Sequence, residues 1–223
     1  MTLGPIQELI DKQDNFEIIR DEIAAILAVE TASQQALATA AGEDPNDWKF
    51  LVYLERSNPW ERYLNSEDQT PIVNVWFDST VFDEAASNNI KQQKGEGVFN
   101  IDCYGRGLAR ADGAGHVAGD KEASTECHRV VRLVRNILMS SYYTYLDMRG
   151  VVWRRWIQSI NIFQPQDTER AAQQVVAGRI ALSVHYNEFS PQYVAETLEL
   201  LSAQVTRASD GLVYAEADYD YTM

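Results

Sequence analysis

No stretch of this 223-residue sequence approaches the ~18–20 consecutive apolar residues of a membrane-spanning helix, so no segment reads as one. Met1 to Ile10 lacks the basic start and apolar run of a signal peptide, and the expectation is a chain made and kept in a cytoplasm. Cysteine is scarce. Cys103 and Cys127 cannot build a disulfide framework; one falls in a strand pattern and the other on an apolar helix face, where free buried thiols are common. A disulfide between them is the alternative. The three histidines, His116, His128 and His185, are spread out, and none has metal-ligand spacing with either cysteine. Basic residues are outnumbered, 19 against 33 acids, for a net charge of −14. Affinity for nucleic acid comes mostly from Lys and Arg binding phosphate, so general DNA binding is disfavoured. An acidic surface facing DNA would act as a non-stick wall.

What is present is enough apolar material for one hydrophobic core, with 45% hydrophobic residues over a length typical of one domain. Neither an internal repeat nor a composition break divides residues 1–223. Residues 1–44 read as an N-terminal helical extension. Gly4-Pro5 suits a helix start, and Asp14 or Asn15 opens a longer helix with Glu17 as capping-box partner. Phe16, Ile19, Ile23, Ile26 and Leu27 recur at helical spacing, and Gly42 to Pro45 stops the run. Trp48 to Arg56 and Pro71 to Phe82 read as strands, Leu64 to Thr70 and Asp83 to Glu96 as polar connections.

A central unit follows, from Gly97 to Phe189. Its first strand is Gly97 to Tyr104, with Gly105-Arg106-Gly107 loosening its end. A glycine-rich loop runs from Ala111 to Gly119, and a helix extends from an Asp120 N-cap to about Tyr142. Cys127, Val130, Val131, Val134, Ile137 and Leu138 share one face of that helix, as packing on a sheet requires. Val151 to Ile157 opens a second strand that ends at Gln164-Pro165. In the third, Ile180, Leu182, Val184 and Tyr186 alternate with Ala181, Ser183, His185 and Asn187. Ser190-Pro191 reads as the start of a last helix with Val194, Leu198, Leu201 and Val205 as its stripe. Asp210-Gly211 ends it, and residues 212–223 form a tyrosine- and acid-rich tail able to add an edge strand. The expected fold class is α+β: a mostly antiparallel sheet of about five strands packed with helices, in the order α-β-β-β-α-β-β-α.

Catalytic patterns are missing. The glycine run lacks Gly-x-x-x-x-Gly-Lys-Ser/Thr, and Gly113-Ala114-Gly115 is followed by Ala118 where a dinucleotide fingerprint needs glycine. There is no Gly-x-Ser-x-Gly elbow. Asp78, Asp102 and Glu188 sit on strands, as nuclease carboxylates do, but no lysine follows at nuclease-like spacing. No residue is assigned a catalytic, cofactor-binding or metal-ligating role, and no cofactor is expected.

The arginines carry more information. Arg129, Arg132, Arg135, Arg149, Arg154 and Arg155 lie close together in an otherwise acidic chain. A solvated helix face with local ion pairs is the plain reading, at ~0.3–0.5 kcal/mol per pair. The sharper one is a subunit interface, because arginine pairs with carboxylates in a fixed fork and is enriched at protein contacts. Trp153 and Trp156 flank Arg154 and Arg155, on opposite faces of one strand by simple alternation. Arg129, Arg132, Arg135, Trp153, Arg154, Arg155 and Trp156 are the candidate interface. A basic strip facing an acidic exterior lets copies of one chain meet head to side in a ring.

The order of elements resembles the tail terminator proteins of tailed bacteriophages. The resemblance is carried by Pro71-Ile72-Val73-Asn74-Val75-Trp76, Phe99-Asn100-Ile101-Asp102-Cys103-Tyr104-Gly105, the Arg129-to-Leu138 helix, and the strand pair ending in Asn187-Glu188-Phe189-Ser190-Pro191. It covers roughly Trp48 to Gly211. It implies a structural, non-enzymatic virion protein of the tail or neck, assembled in the host cytoplasm. Such proteins form a hexameric ring on the last ring of the tail tube, stop its growth and present a surface to the head-side connector. In contractile tails they also meet the sheath, and DNA passes the lumen without sequence-specific binding. The alternatives are a head completion or connector protein of the same particle, and a cytoplasmic α/β enzyme with a phosphate or metal site.

Overall fold

The computed structural model describes residues 9–64, 70–84, 92–108, 110–112, 115–117, 119–165, 173–189, 200–206 and 213–220. In chain order the elements are α1 (Asn15–Ala41), β1 (Leu51–Leu54), β2 (Ile72–Phe82), β3 (Gln92–Leu108), β4 (Arg110–Asp112), β5 (Gly115–Val117), α2 (Gly119–Leu138), β6 (Val152–Phe163), β7 (Gln173–Phe189), β8 (Leu200–Thr206) and β9 (Val213–Asp220). Five strands form one sheet in the order β1-β2-β3-β7-β6. The fold is α+β, with a mixed sheet and two helices. The expected mostly antiparallel sheet is corrected by β1, which pairs parallel to β2 through Leu51↔Ile72 and Leu54↔Val75. Among the described residues, a short 3-10 turn at Pro59–Leu64 falls between them, and β2 runs in the same direction as β1.

Alternation decides which residues each face of the sheet receives. Val73, Val75, Phe99, Ile101, Cys103, Ile180, Leu182, Val184 and Tyr186 are buried on one face, beneath both helices. The helix drawn as an N-terminal extension belongs to that same core, because Ile19, Ile23, Ala24, Ile26 and Leu27 of α1 join the cluster. Each fully buried side chain of this size contributes about 1.5–3 kcal/mol. The start of α1 is closed as expected: Asp14 N–H donates to Glu17 Oε2 at 3.0 Å. Its stop is Gly42 at φ 78°, a left-handed cap. A second cap comes from far away in the chain. Glu188 on β7 accepts the Asn15 N–H at 3.0 and 3.2 Å, and Asn15 Nδ2 donates to the Asn187 carbonyl at 2.6 Å. Burial pushes the Glu188 carboxyl up, against the pull of backbone N–H donors from Asn15, Phe189 and Phe16. Of the helix expected from Gly4-Pro5, residues 1–8 lie outside the described residues, and residues 9–14 are irregular.

β3 is longer than its apolar pattern. It begins at Gln92, inside the stretch read as a polar connection, because the β7 ladder continues through Gln92↔Phe189 and Lys94↔Asn187. It also runs through Gly105-Arg106-Gly107 to Leu108. These glycines do not loosen the strand; they let α2 lie directly on it. A Cβ on Gly105 would overlap the Ala123 carbonyl and the Cys127 amide, and one on Gly107 would overlap the Gly119 carbonyl. Gly178 on β7 completes the seat, since its Cβ would come within 2.6 Å of Val131 Cγ2. The expected stripe of α2 is buried here. Cys103 and Cys127 are both buried and free, with the Cys127 thiol directed to the Cys103 carbonyl at 3.5 Å.

Three further readings change. The glycine-rich loop is the small hairpin β4–β5, paired Arg110↔Val117 and Asp112↔Gly115. The helix after it begins at Gly119, so Asp120 lies inside it, and it ends at Leu138 instead of about Tyr142. The last expected helix is a strand over Leu200–Thr206, paired antiparallel with β9. Ser190-Pro191 and the rest of residues 190–199 lie outside the described residues. Leu201 and Val205, four residues apart, share one face of a strand as well as of a helix, so their spacing suits both.

Candidate interface on the outer strand

β6 is the last strand of the sheet, so among the described residues its outer edge has no strand partner. It pairs with β7 through two bulges, between Val152 and Arg154 and between Ile157 and Ser159. The first bulge corrects the reading that Trp153 and Trp156 lie on opposite faces. An extra residue restarts the alternation, and both indoles pack on the same imidazole. Trp153 stands 4.7 Å and Trp156 4.6 Å from the His185 ring. The Arg154 guanidinium stacks over the Trp156 ring at 4.4 Å. Burial holds His185 below the ordinary imidazole value; Glu96, with Oε2 at 3.7 Å from Nε2, opposes that shift and Arg154 adds to it. Glu96 is itself held by Ser183, whose hydroxyl donates at 2.9 Å, and by Gln158 Nε2 at 3.3 Å.

The other arginines divide. Arg155 turns inward, donating from Nε to the Tyr143 carbonyl and from Nη2 to the Ser140 carbonyl, both at 2.6 Å. It satisfies two carbonyls in the chain just beyond α2. Burial lowers its pKa. Arg129 pairs with Glu126 one turn back and with Asp47 in the 3-10 turn after α1. Arg132 and Arg135 are exposed on α2, and Arg154 on β6. Thus Arg154, Trp153 and Trp156 form one cluster, Arg132 and Arg135 form an open helix face, and Arg129 and Arg155 act as ties within the subunit.

Residues outside the initial set extend the patch. Tyr145, Arg149, Gly150, Val152 and Trp153 line a hollow of about 420 Å³ beside the outer strand. Tyr145 is 39% and Trp153 47% exposed. Exposed tyrosine, tryptophan and arginine close together have the composition of a binding hot spot. Arg149 belonged to the arginine group in sequence. Tyr145 carried no spacing signal, because the turns between α2 and β6 bring it there.

A second polar centre lies where β2, β3 and β7 adjoin. Arg179 forms a two-pronged pair with Asp102 at 2.7 and 2.9 Å, and Trp76 Nε1 donates to Asp102 Oδ2 at 3.1 Å. The guanidinium lies over Trp76 at 4.8 Å and Phe163 at 5.5 Å. A cavity of about 300 Å³ opens on it, lined also by Glu55, Arg56, Asn74 and Tyr104. Its carboxylate and guanidinium are spent on each other, which suits structural pairing better than proton transfer. Asp78 is bonded by its neighbour Ser79, Glu188 caps α1, and Asp102 is held by Arg179. Among the described residues no three His, Cys, Asp or Glu side chains come together as a metal site. The side chain of His116 lies outside the described residues.

No family model and no curated protein matches this chain.

Proposed function

We propose that this protein is a ring-forming structural protein of a tailed-phage virion, a tail terminator at the head-proximal end of the tail tube that joins it to the head connector. The observation that supports this reading most is the outer strand. Twelve residues of β6 end the sheet beside an exposed aromatic and arginine patch. Stable assemblies need such a surface, with aromatic and arginine anchors and a strand edge open for pairing. The polar centres are internally paired, which favours a load-bearing fold over a catalytic one. The net charge of −14 suits a lumen that DNA crosses without adhering. Copies of the chain are the first partner, followed by the tail tube protein, the connector and, in contractile tails, the sheath.

Electron microscopy and native mass measurement of the purified full chain, alone and with tail tubes, test this. A closed ring, or a monomer that rings only on tube ends, is the expected result. Binding to portal-side rings instead of tubes moves the protein to the connector. A monomer or dimer that binds neither refutes a virion neck role.

A further inference from the structure

The C-terminal strands form a sheet of their own. β8 and β9 pair with each other, and among the described residues with no strand of the main sheet. A two-stranded hairpin is at best marginally stable in water and is secured by a third strand or a packed face. Among the described residues the main sheet has one long strand with an open edge, β6. An open edge of that length invites pairing, and natural proteins cover or blunt it. The lengths are compatible: β9 has eight residues and β6 has twelve.

Their charges are complementary. β6, Val152–Phe163, carries the exposed Arg154 and no carboxylate, with the exposed Arg149 just before it. β9, Val213–Asp220, contains Glu216, Asp218 and Asp220 and no basic residue. Like-charged strands repel when set side by side, and oppositely charged ones are steered together. Ile160 and Ile162 are exposed further along β6, as Trp153 is near its start, apolar groups that an added strand would shield.

We infer that the outer edge of β6 in one copy receives the C-terminal hairpin of a second copy, with acidic β9 set against arginine-bearing β6. The hairpin is then an arm that each subunit extends to its neighbour. This contact is heterologous: arm and edge are different surfaces, so repetition closes a ring or continues as a filament. The inference rests on the reading that copies of this chain assemble, and it names the element that joins them.

The test compares the full chain with a chain lacking residues 200–223 by native mass and sedimentation, with thermal unfolding as the control for folding. Removal of the arm is expected to leave a folded monomer. Two charge reversals keep the proposal falsifiable without truncation: Arg149→Glu with Arg154→Glu, and Glu216→Arg with Asp218→Arg. Each pair is expected to weaken self-association more than about tenfold, and all four together to restore it to within about threefold, because the attraction is re-formed with reversed sign. Hydrogen exchange locates the contact. The outward-directed β6 amides, those not bonded to β7, are expected to be protected in the assembled full chain and to exchange freely after truncation. An assembly that survives truncation, or protection of those outward amides retained without the arm, overturns the inference and leaves the ring reading standing. A twofold dimer that dissolves on truncation supports the arm and refutes the ring.

Discussion

The helix-covered face of the sheet is held by volume: Val75, Phe99, Ile101, Ile180 and Leu182 fill the space under α1 and α2, and glycines at 105, 107 and 178 clear room for α2. The opposite face is held by pairing. Asp102 with Arg179, Glu96 with Ser183, and His185 between two tryptophans fix positions by hydrogen bonds and ring contacts. Close packing tolerates little change in volume, whereas a polar face can meet a partner without unfolding. Close packing and polar pairing thus divide between the two sides of the sheet, and the Trp153, Arg154 and Trp156 cluster lies on the strand that ends it.

The largest effect expected from breaking this contrast is on the packed face. Gly107→Ala drives a methyl into the Gly119 carbonyl, and a loss above about 3 kcal/mol in urea unfolding is expected, because the backbone of α2 has to move. On the paired face, Asp102→Ala leaves Arg179 and the Trp76 N–H without their acceptor. A cost of about 2 kcal/mol is expected, since the carboxylate is buried while the guanidinium is partly solvated. A value equal to that of a neutral surface change would show that the centre is not structural.

Glu188→Ala removes the acceptor at the start of α1 and is expected to cost about 1 kcal/mol, measured the same way. Arg149→Glu with Arg154→Glu is expected to change monomer stability by no more than about 0.5 kcal/mol while reducing association. A large loss of stability there would erase the distinction between packed face and contact edge.

The smallest effect is a pH dependence. The folded His185 titrates below the unfolded value of about 6.5. Its contribution is therefore present above that value and is lost as pH falls through the lower, folded value, because the unfolded chain binds the proton first. Denaturant midpoints taken at decreasing pH should fall in the original chain and fall less in His185→Gln.

Much of the packed face was legible in the residues. The alternation of Ile180, Leu182, Val184 and Tyr186 and the stripe on α2 are periodic, and burial of apolar groups follows periodicity directly. The Glu17 bond to Asp14 and the Gly42 stop were local and equally legible. The paired face was less so. Asp102 and Arg179 are 77 residues apart, and only the β3–β7 register brings them opposite. Arg155 looked like its neighbour Arg154, but a bulge and the end of α2 turned one inward and left the other exposed. Leu201 and Val205 have the spacing of the stripe of a last helix, but one face of a strand accommodates that spacing too, and Leu200–Thr206 is a strand.

The sequence by itself determined the α+β class, the elements that form the core, and the concentration of arginine in an acidic chain, because these follow from periodicity and composition within each segment. Tertiary structure alone decided that β1 runs parallel, that Gly105 and Gly107 seat a helix, that both tryptophans share one histidine, and that β6 ends the sheet. Those facts depend on register and on which distant segments become neighbours, and no single segment encodes its partner.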